Sequence, residues 1–143
     1  MYTELDGQIY KVYQRDNMKW IIKKYEKDTE SNDRKEYREI VDEASLSNIF
    51  SVYFYVEEDN FKIAIVNFDK NILEIGTTFP VFSKKPGYKA VEHDYWEKKV
   101  SICEYDHFIF KKSSYLTDKT KEYRVSPREF RALWKTYKTN FKI

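Results

Sequence analysis

The sequence predicts an α+β fold: an antiparallel sheet of about six to eight strands built from hairpins, one short acidic helix and a C-terminal amphipathic helix packed on the sheet. Short runs of β-branched and aromatic residues follow one another, with turn-forming residues between them. No crossover helix separates these runs, so we expect neighbouring strands to pair in sequence. Near the C-terminus the apolar residues change from the two-residue period of strands to helical spacing.

Length and composition favour one compact domain over residues 1–143. The chain is 41% hydrophobic and 35% charged, which is typical of a globular protein. It has no apolar stretch of membrane-spanning length and no signal peptide, so we expect a cytoplasmic protein with no membrane partner. Cys103 is the one cysteine in the sequence. It excludes an internal disulfide, and we expect it to be a small buried hydrophobic residue.

The N-terminal segments predict a β-hairpin. Residues 8–14 and 18–25 have strand composition, and the polar residues 15–17 between them supply turn-forming side chains. Residues 26–35 contain no apolar side chain and predict an exposed loop.

The next segment predicts a short acidic helix. Its apolar residues recur at helical spacing and leave the acids on the other side: Tyr37, Ile40, Val41 and Ala44 against Glu36, Glu39, Asp42 and Glu43. A strand through Val41 is the alternative.

Residues 49–56 and 61–68 give the strongest strand signals in the sequence. The polar residues 57–60 separate them, which predicts a hairpin. In this arrangement Phe54 and its alternate neighbours face inward, and Tyr53 and Tyr55 lie on the reverse face.

Weaker strand signals follow. Residues 72–75 predict a short strand, and residues 84–87 predict a turn with Pro86 before Gly87, flanked by a strand pair that begins at Val81 and Phe82. Residues 100–104 and 108–112 predict the last strands.

The C-terminal helix has the clearest local signal. Ser126, Pro127 and Glu129 match an N-cap, a first-turn proline and the third residue of a capping box. An apolar stripe and a basic stripe follow on two sides of this helix: Phe130, Leu133, Trp134 and Tyr137, and Arg128, Arg131, Lys135 and Lys138.

The sequence contains no catalytic signature, so we predict no enzyme, no cofactor and no metal site. The three glycines are scattered, which excludes a glycine-rich phosphate loop. The histidines and Cys103 lack the paired spacing of zinc ligands. One enzymatic alternative stays open: His93 and His107 as base and acid of a small metal-independent RNase.

Charge is unevenly distributed along the chain. Acidic residues are concentrated in the first half, and basic residues over Lys111 to Lys142. A basic stripe supplies the sequence-independent part of nucleic-acid affinity, so a nucleic-acid-associated accessory protein is a second alternative. The thirteen tyrosines exceed what a core of this size needs, which favours a protein-binding face.

In its small size, its Tyr- and Lys-rich composition and strand runs such as residues 49–56, the chain resembles the immunity proteins of bacterial toxin systems. This resemblance implies a non-enzymatic inhibitor that binds and neutralises a cognate toxin domain. A phage-encoded inhibitor of a host defence protein would have the same sequence features. For a basic toxin, the natural contact is an acidic and aromatic face, formed by Glu36, Glu39, Asp42, Glu43, Tyr53, Tyr55, Glu57, Glu58 and Asp59.

Overall fold

A computed structural model describes most of the chain. It covers residues 1–5, 7–15, 18–27, 34–40, 49–115, 117 and 119–139, and gives the backbone but not the side chains of residues 5, 14, 15, 18, 20–27 and 34–40. The chain divides into two compact units. The first comprises Met1–Val52 and Lys112–Lys121, and the second comprises Tyr53–Lys111 and Glu122–Ile143. The single domain expected from the sequence stays a prediction.

The first unit contains four antiparallel strands that pair in the order β4-β3-β2-β1: β1 (Tyr2–Leu5), β2 (Gln8–Arg15), β3 (Met18–Lys27) and β4 (Arg34–Ile40). The predicted N-terminal hairpin is therefore confirmed, with Arg15 opposite Met18 at its end. Val12 and Ile49 are buried together, and Met1 and Tyr10 pack against them.

The predicted acidic helix is wrong where the structure describes it. The backbone from Arg34 to Ile40 is a strand, paired with β3 from Ile40 opposite Trp20 to Arg34 opposite Lys27. A helix of two turns is marginal by itself, whereas pairing satisfies backbone groups of both strands. The same pairing extends β3 and β4 into both ends of the predicted loop 26–35, whose middle, residues 28–33, lies outside the described residues.

The second unit is also built on strands, of which β5, β10 and β11 begin or end in the first unit. The strands of this part are β5 (Ile49–Glu58), β6 (Phe61–Asp69), β7 (Ile72–Thr77), β8 (Lys89–Glu92), β9 (Tyr95–Ser101), β10 (Phe108–Ser114) and β11 (Thr120–Val125). They pair in the order β5-β6-β7-β9-β8, and β10 pairs with β5 and β11. The described residues thus hold eleven strands rather than six to eight, because short or highly charged strands such as β1, β8 and β11 lack a clear alternating pattern.

Two tight hairpin turns join β5 to β6 and β6 to β7. Both central residues of each turn have positive φ, at 50° and 67° in Asp59 and Asn60, and at 48° and 67° in Lys70 and Asn71. Positive φ at both positions is the type I′ geometry, which matches the twist of the paired strands. Asp and Asn tolerate this backbone better than most residues. The pairing of β5 with β6 on either side of Asp59 and Asn60 confirms the predicted hairpin at residues 57–60.

The turn at Pro86 and Gly87 is confirmed, but the strand expected before it is absent. Gly87 has φ of 87°, and the N–H of Tyr88 donates to the carbonyl of Lys85 at 3.3 Å, as in a type II turn. Pro80–Lys84 forms a 3₁₀ helix instead of a strand. Proline fixes φ at the helix start, and the turn places Phe82 in the core.

The predicted strand 100–104 is wrong beyond Ser101, where β9 ends, and Cys103 is exposed rather than buried. The Ser101 side chain accepts a hydrogen bond from the N–H of Cys103 at 3.2 Å and starts a short 3₁₀ helix, Ile102–Glu104. This turn directs Ile102 into the core and Cys103 toward solvent.

The C-terminal helix α1 (Pro127–Tyr137) confirms its sequence signal. The Ser126 hydroxyl accepts from the N–H of Glu129 at 3.1 Å, and the Glu129 carboxylate accepts from the N–H of Ser126 at 3.2 Å. Phe130, Trp134 and Tyr137 are buried. No helix in the described part of the chain has the length and apolar character needed to cross a membrane.

An aromatic cluster joins α1 to the sheet within the second unit. Phe130 stacks on Phe108 with 4.4 Å between ring centroids and meets the edges of Phe54 and Phe68 at 5.6 and 5.2 Å. The ring centroids of Trp134 and Phe54 are 5.2 Å apart. These contacts fix the inner face of β5 against the helix.

A second close contact lies between neighbouring strands. A Cβ built on Gly76 in β7 would lie 1.9 Å from the Tyr95 Oη and 2.6 Å from its Cζ, so only glycine leaves room for this ring. Burial, and then a hydrogen bond to Glu97, raise the pKa of the Tyr95 phenol above its ordinary value. The ring thus covers a gap that the glycine creates.

We expect Phe130→Ala to lower the free energy of unfolding by about 3–5 kcal/mol, because it removes the ring that all three neighbouring phenylalanines contact. Chemical denaturation measures this loss. Lys135→Ala, an exposed change on the same helix, is the control and should stay within about 0.5 kcal/mol of wild type. A loss below 1 kcal/mol for Phe130→Ala would contradict the cluster's role.

We expect Gly76→Ala to destabilise the protein by about 1–3 kcal/mol, since the new methyl group displaces the Tyr95 ring. In a Tyr95→Ala background the same change should be neutral or stabilising by up to about 1 kcal/mol, because alanine suits a strand better than glycine. Denaturation of the four proteins in this cycle gives the coupling. An equal cost in both backgrounds would show that the Tyr95 ring is not the reason for the glycine.

Candidate functional site

The pleat of β5 places two kinds of side chain on its two faces. Phe54 and Val56 are buried, whereas Tyr53 is 45% exposed and Tyr55 is half-buried, as the sequence predicted. Glu57 follows the tyrosines on the same face because alternate residues of a strand share a face. We call this outer surface the tyrosine face; it comprises Tyr53, Tyr55, Glu57, Lys62, Lys111 and Glu122.

The two tyrosine rings stand side by side. Their centroids are 6.5 Å apart and the ring planes differ by 24°, so they present one continuous aromatic strip. The ammonium group of Lys111 lies 5.6 Å from the Tyr53 centroid, within cation–π range. The rings are held in place by their neighbours but keep part of their surface open to solvent.

An ion pair borders the aromatic strip. Lys62 lies opposite Glu57 in the β5–β6 ladder, and its ammonium group reaches both carboxylate oxygens of Glu122 at 2.7 Å. Burial, followed by the nearby Tyr53 and Glu122, raises the pKa of the Tyr55 phenol, and Lys62 partly opposes this. The sequence did not predict this pair, because Lys62 and Glu122 are sixty positions apart and no local pattern joins them.

A second polar group lies beside Glu57. The Arg124 guanidinium donates to the His107 Nε2 at 3.0 Å, and the Glu57 carboxylate lies 4.0 Å from the same nitrogen. Arginine has donors only, so the His107 nitrogen is the acceptor of this hydrogen bond. Charges of both signs therefore alternate around the tyrosines.

Glu58 is placed differently from its sequence neighbours. It lies on the opposite face of β5 from Tyr55 and Glu57, where its carboxylate accepts from the Tyr105 hydroxyl at 2.5 Å and from the Tyr88 hydroxyl at 2.9 Å. Asp59, in the adjoining turn, forms an ion pair with Lys85. Glu58 and Asp59 thus hold the segments that carry Tyr88, Lys85 and Tyr105.

The structure brings together only part of the predicted acidic face. Tyr53, Tyr55 and Glu57 share one surface, and Glu58 faces away from it. Glu36 and Glu39 lie in β4, whose side chains are not described, and Asp42 and Glu43 lie outside the described residues. The partner-binding role of these residues stays a prediction.

The two histidines of the RNase alternative have separate surroundings. His93 is almost fully exposed in the turn between β8 and β9, and its Nε2 lies 3.3 Å from the carboxylate of the adjacent Asp94. His107 is engaged by Arg124 and Glu57. No contact in the described part of the chain joins the two imidazoles.

The basic residues of the nucleic-acid alternative are also distributed over several places. Lys111 and Lys112 are adjacent in β10 and point to opposite faces, Lys111 over Tyr53 and Lys112 over the Phe50 ring at 3.9 Å. On α1, Arg128, Arg131 and Lys135 are exposed. The guanidinium of Arg131 lies 5.4 Å from the Phe68 ring centroid.

Among the residues that the structure describes, no three His, Cys, Asp or Glu side chains come together as metal ligands would. Comparison with family models, with curated proteins and with solved structures finds no match for this chain.

We expect the Tyr88 and Tyr105 phenols to make stability fall at alkaline pH. Burial, then the hydrogen bond and the charge of Glu58, raise the pKa of both phenols above their ordinary value of 10.0. The folded protein thus holds these protons at a pH where the unfolded chain releases them, so stability is full below pH 10 and is lost as pH rises above it.

Denaturation from pH 9 upward measures this loss in wild type and in Tyr88→Phe/Tyr105→Phe. The double variant should be less stable at neutral pH, since the two hydrogen bonds are gone, but should lose less as the pH rises. Equal alkaline slopes in both proteins would contradict the phenol–carboxylate arrangement.

Proposed function

We propose that the protein is a non-enzymatic, protein-binding inhibitor that neutralises a bacterial toxin domain. The observation that carries the proposal is the tyrosine face, in which Tyr53 and Tyr55 form a partly open aromatic strip on a packed strand. The binding of a protein partner is the broad part of the proposal, and toxin neutralisation is the specific part.

The face has the properties of a binding hot spot. Tyrosine provides a large contact area and a hydroxyl group while losing little conformational entropy, and it is enriched in protein interfaces for this reason. Here the entropy cost is smaller still, because Lys111 and the neighbouring ring already restrict Tyr53. A partner that covers the strip would gain apolar burial without ordering a loop.

The charges around the strip favour specificity over long-range attraction. Glu122 is paired with Lys62, so the charge of one of the two acids beside the strip is already balanced. Such a rim discriminates between partners through local charge matching. We therefore place the aromatic strip at the centre of the contact and the charge pairs at its edge, which revises the emphasis on acids that the sequence suggested.

The identity of the partner rests on sequence. The chain resembles bacterial immunity proteins in size, in its Tyr- and Lys-rich composition and in the strand run that carries Tyr53 and Tyr55. An inhibitor of this kind acts by covering the active site of the toxin or the surface that the toxin needs for an essential partner.

Affinity capture tests the protein-binding proposal. Tagged protein is incubated with lysate of the source cells at moderate salt after nuclease treatment, and retained proteins are identified by mass spectrometry. We expect one stoichiometric protein partner. Recovery of nucleic acid alone from a sample without nuclease, with no stable protein partner, would contradict the proposal and favour the basic residues as the functional ones.

Tyr53→Ser/Tyr55→Ser should weaken binding of the captured partner at least about tenfold, since hot-spot tyrosines each contribute more than 1 kcal/mol. Tyr13→Ser/Tyr115→Ser, which changes two other exposed tyrosines, is the matched control and should bind like wild type. Calorimetry gives both affinities. Equal affinities for the two variants would exclude the tyrosine face.

Growth of a bacterial host tests neutralisation. Expression of the captured partner should arrest growth, and co-expression of wild type, but not of Tyr53→Ser/Tyr55→Ser, should restore it. A partner that does not affect growth would leave the binding proposal intact and contradict the toxin assignment.

A further inference from the structure

The β11 strand is an edge strand among the residues that the structure describes. Within the part of the chain that the structure describes, β11 pairs with β10 and with no other strand. Residues 120–124 are all exposed. None of the described strands pairs with the other side of the β11 backbone, and natural sheets either block such an edge or use it for association.

The other end of this strand order is less suited to pairing. β8 has four residues and a register shift between Ala90 and Glu92, and short, irregular edges resist the addition of a strand. β11 has six residues. The sequence Lys121-Glu122-Tyr123-Arg124 at its centre decides which partner strand can fit.

Symmetry limits how two copies of β11 can pair. In a twofold-symmetric antiparallel pair the axis passes perpendicular to the sheet, so one residue must lie opposite itself. Lys121, Glu122 or Arg124 on the axis would place like charges directly opposite each other, which is destabilising. Tyr123 is the one residue of these four that avoids this.

The register centred on Tyr123 is also complementary in charge. It places Glu122 of each copy opposite Arg124 of the other, which gives two equivalent ion pairs on one face. On the reverse face the two Tyr123 rings meet at the axis. Each ring is 44% exposed in the single chain and stacks on Phe110 with 6.0 Å between centroids, so pairing would cover an open aromatic surface.

We propose that the protein forms a homodimer in which two β11 strands pair antiparallel about an axis at Tyr123. Glu122 and Arg124 can take part without losing their present contacts. The Glu122 carboxylate has further lone pairs beyond those that face Lys62, and the Arg124 guanidinium has further N–H groups beyond the one that faces His107.

The dimer would have a consequence for binding. The axis is perpendicular to the sheet, so the two tyrosine faces lie on the same side of the joined strands. One dimer could then engage two partner molecules, or a dimeric partner with higher avidity. The proposal does not rest on the proposed function, because the pairing of β11 requires no partner protein.

Charge reversal tests the pairing. An edge of this length buries less area than the roughly 1,600 Å² of a standard interface, so we expect a weak dimer that sedimentation detects over a concentration series reaching the millimolar range. Glu122→Arg alone and Arg124→Glu alone should each weaken dimerisation at least about tenfold, because symmetry replaces two attractive pairs by two repulsive ones.

The double variant Glu122→Arg/Arg124→Glu restores opposite charges in the same register and should recover the dimer. Circular dichroism and thermal unfolding confirm that each variant is folded. Wild type that remains monomeric over the whole concentration series would overturn the proposal, as would a double variant no better than the singles.

Disulfide cross-linking tests the register directly. It also tests the dimer if a charge variant does not fold. In a Cys103→Ser background, Tyr123→Cys places two thiols opposite each other at the axis. The Cβ atoms of directly facing strand residues lie close enough for a disulfide to join them. With oxidised glutathione as the oxidant, this variant should form a disulfide-linked dimer much faster than Tyr53→Cys, an equally exposed residue of β5, which is paired with other strands. Equal rates of cross-linking would overturn the register.

Discussion

The contact between α1 and the inner face of β5 is the constraint on which the second unit depends. Phe130 and Trp134 pack against Phe54, and the capping box at Ser126 sets where their helix begins. Because Phe54 packs against the helix and successive strand residues point to opposite faces, Tyr53 and Tyr55 must lie on the outer face. The tyrosine face is thus a consequence of core packing and needs no specialised loop.

The same alternation separates two acids that are adjacent in sequence. Glu57 points toward the tyrosine face, whereas Glu58 points to the other face and accepts two phenol hydrogen bonds. A buried or half-buried carboxylate is costly unless it is hydrogen-bonded, and Tyr88 and Tyr105 meet this requirement. One acid therefore belongs to the candidate site, and the other stabilises the segments around it.

Ion pairs and cation–π contacts give this highly charged chain a locally balanced surface. Lys62, Lys85 and Lys111 each meet a carboxylate or an aromatic ring within the second unit. A partner of this surface would be recognised by the arrangement of rings and alternating charges, since no large field of one sign surrounds the strip. This agrees with a net charge of only +2 for the whole chain.

Sequence reasoning succeeded where the determining interactions are local. The hairpin at residues 57–60, the turn at Gly87 and the capping box at Ser126 each depend on residues within a few positions of one another. It was wrong for residues 34–40, because pairing with β3 outweighs a helical pattern that extends over only two turns.

Sequence reasoning also missed the partners of Glu58 and Glu122. Tyr88 and Tyr105 lie 30 and 47 positions from Glu58, and Lys62 lies 60 positions from Glu122. The fold alone brings such pairs together. The outward direction of Tyr53 and Tyr55 was predictable because it follows from strand alternation within one segment.

Hydroxyl-radical footprinting of the protein, alone and bound to its captured partner, shows whether the tyrosine face makes the contact. It measures the solvent access of individual side chains, so it reports on Tyr53 and Tyr55 without mutation. We expect oxidation of these two tyrosines to fall sharply in the complex, while oxidation of the exposed Phe79 and Tyr13 changes little. Unchanged oxidation of Tyr53 and Tyr55, with protection of other residues, would show that the partner binds elsewhere.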